Sequence, residues 1–135
     1  MRRVLVLALP LAVGIVVGLI GEQVLSGQRE PMKRTILLKT DLSGLEGKEG
    51  IVLLTEFNPE ATTGRHYHHG HEFAHVLEGS GTFEREGKTT IFKPGDTFHI
   101  PPNQVHNVKN DGTAPVKALV FVIHEKGEPI AVPKK

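Results

Sequence analysis

Five of the chain's eight histidines lie within fifteen residues, R-H-Y-H-H-G-H-E-F-A-H-V-L-E-G, from Arg65 to Gly79. His66 and His68 are two residues apart, so on a strand both imidazoles would project from one face, roughly 6.6–6.8 Å apart along the chain. Glu72 follows a stretch in which a glycine permits a turn, and its carboxylate can return from the start of the next strand. His106 follows P-P-N-Q-V at the start of another predicted strand. The spacing predicts that these side chains converge.

Three neutral imidazoles and one carboxylate form a set of nitrogen and oxygen donors. Such a set suits one divalent transition metal ion, which could be Fe, Mn, Ni, Cu, Co or Zn. The chain has no cysteine, which excludes thiolate ligands, thiolate nucleophiles and disulfides. The serines lie in predicted linker or turn contexts and offer no Ser-His-Asp arrangement. We therefore expect His66, His68, Glu72 and His106 to be metal ligands, and any chemistry to depend mainly on the ion. No catalytic side chain beyond them is assigned.

The remaining histidines are expected to lie outside this site. His69 has the wrong strand parity to share a face with the ligands, and His71 flanks a turn, so both are expected at the rim or in solvent. His75 lies three residues after Glu72 and should face the opposite way, towards packing or a subunit contact. His99 is expected to face outwards. The sequence leaves the direction of His124 open.

The elements that must position these residues are short strands. Apolar runs alternate with Gly- and Pro-containing breaks about every ten residues, and no sustained helical period follows residue 34, so at least eight strands and no long helix are predicted. Glu86-Gly87 predicts a tight hairpin turn, since glycine readily adopts a positive φ. The pattern indicates an all-β sandwich or barrel. The predicted strands are residues 35–39, 51–57, 73–77, 81–85, 89–92, 96–100, 106–108 and 116–124.

Two spaced motifs in this region resemble those of the cupins. The first is His66-x-His68-x3-Glu72-x6-Gly79, and the second is Gly95-x5-Pro101-x-Asn103-x2-His106-x3-Asn110. Their short separation is similar to that of small single-domain bacterial members of the conserved-barrel (type-2) cupins. The resemblance implies a double-stranded β-helix, or jelly-roll barrel, over residues 34–132. It also implies that the four predicted ligands hold one metal ion.

The chain departs from the cupin motifs at two positions. Glu60 stands where the first motif has a glycine, and Asn103 stands where the second has the glycine of P-x-G. Asparagine tolerates a left-handed backbone better than other non-glycine residues, so the second turn is expected to survive. Asn58-Pro59 can supply the first turn. Neither departure affects a predicted ligand.

The beginning of the chain predicts export. Met1-Arg2-Arg3 precedes an uncharged, largely apolar run over residues 4–21, typical of an export signal. The run is intermediate in length, so residues 1–26 are either a cleaved signal peptide or a signal anchor held by residues 4–21. Either alternative predicts a periplasmic or extracellular domain, whose only membrane contact is this segment. Residues 27–33 are the expected linker, 34–132 the cupin domain and 133–135 a tail.

Charge and topology limit the partners. The net charge is +1, from 16 basic and 15 acidic residues, and no basic stripe is present, so nucleic acid is excluded as a partner. A small-molecule ligand is expected. Exposed edge strands predict a homodimer, with residues 35–39 and the outward face of His75 as contact candidates.

Two functions remain open from the sequence. One is a metal-dependent enzyme on a small organic substrate, oxygenase-like or isomerase/lyase-like. The alternative is a non-catalytic metal-binding or small-molecule-binding protein. A fold does not choose between them.

Overall fold

The computed structural model describes residues 30–135, so the predicted export segment 1–26 lies outside the described residues. The described chain forms two five-stranded antiparallel sheets, ordered β1-β2-β9-β4-β7 and β10-β3-β8-β5-β6. This architecture confirms the predicted all-β jelly roll. The strands are β1 Met32–Asp41, β2 Lys48–Phe57, β3 His66–Tyr67, β4 His71–Glu78, β5 Gly81–Arg85, β6 Lys88–Phe92, β7 Thr97–Ile100, β8 His106–Lys109, β9 Val116–Glu125 and β10 Val132–Pro133.

Between Glu30 and Lys135 the backbone contains no helix, and hence none long and apolar enough to cross a membrane.

The core lies between the two sheets and follows from strand alternation. β2 buries every second side chain from Glu49 to Phe57, and β9 does the same from Val116 to His124. The two strands pair along their whole length, so their buried residues project from the same face of the first sheet. The second sheet contributes Phe83 from β5 and Phe92 from β6. The interior is therefore mainly apolar, with polar side chains at a few defined positions.

Tight backbone approaches place the ligand-bearing segments. Gly70 lies between His68 and β4, and a Cβ added there would lie 1.7 Å from the carbonyl oxygen of Ile123 on β9. Only glycine permits β4 to begin this close to β9. Asn103 adopts a φ of 64°, as the sequence predicts, and its N–H donates to the carbonyl of His68 at 2.7 Å. The turn of the second motif therefore stabilises the first motif.

The first motif turn is formed with a strained residue. Glu60 has a φ of 69°, in the left-handed region where the cupin motif has glycine. Its N–H donates to the carbonyl of Asn110 at 2.8 Å. The Asn110 side chain in turn donates to the carbonyls of Phe57 and Ala114.

The predicted hairpin also forms at Glu86-Gly87, where both residues have positive φ.

Candidate metal centre

Three histidines meet on the inner face of the second sheet. His66 on β3 pairs directly with His106 on β8, and their ring centroids are 4.2 Å apart. His68 follows β3 immediately and joins them, so that one ring nitrogen from each histidine lies within 4.8 Å of the other two. All three side chains are buried. The predicted convergence of two motifs on one site is therefore seen for the three imidazoles.

Backbone carbonyls fix the orientation of each ring. The Nδ1 atom of His66 lies 2.9 Å from the carbonyl oxygen of Gly64, and Nδ1 of His106 lies 3.0 Å from that of Gln104. Nδ1 of His68 contacts the carbonyl oxygen of Ile130. A carbonyl oxygen only accepts, so each neutral ring donates its Nδ1–H and carries its lone pair on Nε2. Metal-binding histidines are held in this way in proteins generally.

Glu72 approaches the same point from the first sheet. It lies on β4, and one carboxylate oxygen, Oε2, is 2.7 Å from Nε2 of His68. Although the distance is short, the His68 Nε2 atom has no partner of hydrogen-bond geometry among residues 30–135. This buried nitrogen therefore lies beside the Glu72 carboxylate without a hydrogen bond to it. The donor set fits a metal ion, and Glu72 as its fourth ligand stays a prediction because the carboxylate lies outside the three-nitrogen group.

Burial and neighbouring charges shift the pKa values of the four residues in different directions. Burial lowers the pKa of His66 to about 4 and also lowers the pKa of His106. Burial lowers the pKa of His68 as well, but the neighbouring Glu72 carboxylate outweighs it and the net change is upward. The pKa of Glu72 is lowered, since contact with His68 outweighs the effect of burial. At neutral pH two imidazoles are ready to bind an ion, whereas the third shares a proton-dependent contact with Glu72.

An apolar cavity adjoins the metal centre. Its volume is about 70 Å³, which is room for roughly five water molecules or one small organic molecule. Four of the chain's six phenylalanines line it, together with all four predicted ligands. The phenylalanines are Phe57, Phe83, Phe92 and Phe98, and aliphatic side chains from β2, β4 and β9 complete the wall.

The other histidines lie where the sequence places them. His69, His71, His75 and His99 are all exposed. Nδ1 of His71 lies 2.9 Å from Nε2 of His99, forming a pair on the outer face of the first sheet. These four residues do not contribute to the cavity.

Sequence reasoning missed some buried residues and some residues that line the cavity. His124 turns inwards and its Nε2 lies 3.0 Å from the buried carboxylate of Glu49, but neither residue lines the cavity. Arg34 and Thr55 do line it. The alternation Ile51-x-Leu53-x-Thr55-x-Phe57 could have identified Thr55 as inward-facing. No sequence signal identifies Arg34, because its position depends on the pairing of β1 with β2.

Curated proteins resemble this chain over part of its length. A protein of Methanocaldococcus jannaschii is 38% identical over 48 residues, covering 36% of this chain and 38% of its own length. Auxin-binding protein 1 of Arabidopsis thaliana is 36% identical over 84 residues, covering 56% of this chain and 42% of its own. The chain thus spans about two fifths of the curated relatives that it matches.

Solved structures and a family model match more of the domain. A conserved protein with a double-stranded beta-helix domain from Klebsiella pneumoniae has a TM-score of 0.63 and 25% identity, covering 79% of this chain and 88% of that one. KdgF from Halomonas sp. has a TM-score of 0.58 and 20% identity, covering 71% and 82%. The family model described as "Cupin domain" matches residues 53–122, which include the three histidines and Glu72. The chain belongs to the cupin family.

Proposed function

We propose that this chain is an exported, metal-dependent enzyme that acts on a small organic substrate. The observation that carries the proposal is the convergence of three buried imidazoles, each with its Nδ1 bonded to a carbonyl, beside an apolar cavity. A catalytic metal site differs from a structural one by leaving coordination positions open. The adjoining cavity supplies space for a substrate at such a position.

The residues that would hold the ion are His66, His68, His106 and, as predicted, Glu72. A bound divalent ion would supply Lewis-acid polarisation or a redox centre. The imidazoles hold fixed positions through their carbonyl contacts, and the phenylalanines give the cavity a mainly apolar lining. Glu72 is the one carboxylate among the cavity residues, so it is also the candidate to hold or move a proton at Oε2. Oxygenase-like and isomerase- or lyase-like reactions are both consistent with this inventory.

The similarity to solved structures adds the fold alone. KdgF and a structure containing DMSP lyases share this fold at 20% and 23% identity. A shared fold hosts both enzymes and binding proteins. Our proposal therefore depends on the donor set and the cavity of this chain.

The second candidate is a non-catalytic binding protein. A curated relative, at 36% identity over 84 residues, is named for binding auxin. The same cavity and metal centre would then hold a small molecule without converting it. The two candidates differ in turnover and agree in ligand binding.

Metal analysis and turnover assays separate these candidates. Protein purified from its native host without added metal should contain about one transition metal ion per chain. The metal-free protein should then be reloaded with iron, manganese or zinc and assayed for oxygen uptake or product formation on small acids, phenols and sugars. We expect turnover to differ sharply between zinc and the redox-active metals. If every metal form binds ligands and none turns them over, the enzyme proposal is wrong and the binding-protein proposal is favoured.

A further inference from the structure

The cavity contains one side chain whose charge has no role in the metal centre. Arg34 lies on β1 and pairs with Thr55 of β2. Directly paired residues of an antiparallel sheet project from the same face, and Thr55 is buried on the cavity wall. Arg34 itself is exposed to solvent, and the strand register brings it beside a cavity wall that is mainly apolar.

Arg34 has no acidic partner in the described part of the chain. No carboxylate of residues 30–135 lies within 4.0 Å of its guanidinium. Some other cations of the described residues are paired, since Lys39 lies 3.0 Å from Glu49 and Lys109 lies 2.8 Å from Glu84, but of the described cations only Arg34 lines this cavity. An arginine without a counter-charge beside an apolar cavity is suited to recognising an anion.

The charges around the cavity favour an anionic occupant. The ionisable residues that line it are Arg34, Glu72 and the three ligand histidines. As metal ligands the imidazoles would be neutral, and Glu72 would contribute one negative charge. A divalent ion together with Arg34 would then leave the loaded site with about two positive charges in excess of the carboxylate.

The lining and the volume of the cavity indicate the size and polarity of the rest of the ligand. Phe57, Phe83, Phe92 and Phe98 would surround an apolar group, and the volume of about 70 Å³ limits its size. Space for roughly five water molecules corresponds to an organic molecule of about six non-hydrogen atoms. Such a cavity suits a small occupant that is apolar at one end and negatively charged at the other.

We propose that Arg34 is the specificity-determining residue of this site, and that it binds the carboxylate of a small monocarboxylic acid whose apolar part lies among the phenylalanines. The inference rests on the proposed function for its site. It does not require turnover, because Arg34 recognises the acid before any chemistry. Arginine presents two N–H groups in a planar fork that matches both oxygens of a carboxylate.

Calorimetric titration of the metal-loaded full chain tests this assignment. The probes are isobutyrate and isobutyramide, which have similar shape and differ in charge. We expect wild-type protein to bind isobutyrate at least about tenfold more tightly than the amide, as for a charge-assisted hydrogen bond. Arg34→Met should lower this ratio several-fold, to the part that the metal ion alone would supply, and Arg34→Lys should retain more of it. Lys33→Met is the matched control, since Lys33 is adjacent to Arg34 on β1 and equally exposed but does not line the cavity.

These outcomes test the role of Arg34 independently of the proposed metal-dependent activity. If Arg34→Met keeps the wild-type preference for the acid, or if the wild type shows none, the assignment is wrong. A second neutral variant, Arg34→Gln, must give the same ratio as Arg34→Met, and circular dichroism must show that both fold. Metal content measured in the same samples tests the proposed function on its own. A wild type that fails to load metal yet selects the acid in an Arg34-dependent way would remove the enzyme proposal and keep this one.

Discussion

Each ligand imidazole is oriented by the protein itself. The carbonyls of Gly64, Ile130 and Gln104 fix the rings with their Nε2 atoms inward. The rotational freedom of the side chains is thus lost during folding, and binding of an ion does not have to compensate for that entropy. The centre should bind an ion without rearranging the strands that carry it.

Alanine replacement of the predicted ligands should weaken metal binding. We expect His66→Ala, His68→Ala, Glu72→Ala and His106→Ala each to lower the affinity for Mn, Fe or Zn by more than about tenfold, since loss of even an outer partner costs that much. Metal content after dialysis and competition with a chelator measure the effect. His75→Ala is the control, because His75 is exposed on the outer face. An empty site in His75→Ala with a full site in His106→Ala would refute the ligand set.

The metal-free protein should lose stability in mild acid. The pKa of His66 is about 4 in the fold and 6.5 when unperturbed. The unfolded chain therefore takes up a proton between these values while the folded chain does not. The contribution of neutral His66 is full above pH 6.5 and is lost as pH falls towards 4, by up to about 3 kcal/mol. His68, whose pKa is raised, acts in the opposite sense at higher pH.

Urea unfolding with a chelator present, at pH 7 and at pH 4.5, measures this loss. His66→Gln should be less sensitive to pH over the same interval, because glutamine does not titrate. An equal pH dependence in His66→Gln and wild type would show that His66 is not the source. Metal affinity should fall over the same pH range, since ligands must be deprotonated.

The sequence predicted the residues whose positions depend on local spacing. His66 and His68 share a face by strand parity, and His106 is located by its motif. His124 and Arg34 depend instead on strand register: His124 is paired with Glu49, and Arg34 is opposite Thr55. Such pairings join residues far apart in the chain, and no local pattern determines them.

At the scale of elements, all eight predicted strands form. The structure adds two short strands, β3 and β10, of two residues each. These two strands pair with each other. Because each has only two residues, neither contains an apolar run long enough to be detected in the sequence. The structure also extends β2 to Lys48, because Glu49 is buried against Lys39 and His124. A charged residue at that position gives no strand signal.

The turn at Glu60 predicts a stabilising substitution. Glu60 has a φ of 69°, which costs a non-glycine residue about 1–2 kcal/mol. Glu60→Gly removes this strain but increases the freedom of the unfolded chain by about 1 kcal/mol. We therefore expect a neutral to stabilising change of up to about 1 kcal/mol, measured by urea unfolding. The hydrogen bond to Asn110 is made by the backbone and should be retained.

Glu128→Gly is the matched control for this turn. Glu128 is exposed and is not among the described residues with positive φ. Glycine there should destabilise the protein, because only the unfolded chain gains freedom. Equal destabilisation by Glu60→Gly and Glu128→Gly would mean that the turn at Glu60 stores no strain.

At the scale of the whole molecule, the apolar surface of β1 bears on assembly. Ile36, Leu37 and Leu38 are each more than half exposed on this edge strand. Exposed edges of this kind pair or aggregate unless covered, so the predicted homodimer would bury them. We expect sedimentation velocity to show a dimer at micromolar concentration and Ile36→Lys/Leu38→Lys to show a monomer. Ile91→Lys is the control, since Ile91 is 77% exposed on β6 of the other sheet.

If the wild-type protein is a monomer at that concentration, the prediction of a homodimer is wrong. Dissociation by Ile91→Lys, with the β1 variant still dimeric, would move the interface to the second sheet.

Export is predicted from residues 1–26, outside the described part of the chain. A reporter that is active only outside the cytoplasm, fused after Lys135, should be active in the full chain and inactive after deletion of residues 1–26. Mass spectrometry of the native N-terminus then distinguishes cleavage from anchoring. A native cytoplasmic chain that keeps Met1 would contradict export.

The placement of the single tyrosine gives the molecule an intrinsic optical probe. The chain has no tryptophan, and its one tyrosine, Tyr67, is on β3 between His66 and His68. Its ring packs edge-on against His69 at a centroid distance of 5.4 Å, on the side of the strand away from the ligands. All tyrosine fluorescence of the protein therefore originates one residue from the candidate metal ligands. Loading with a paramagnetic ion would be visible as quenching of that emission, without any added label.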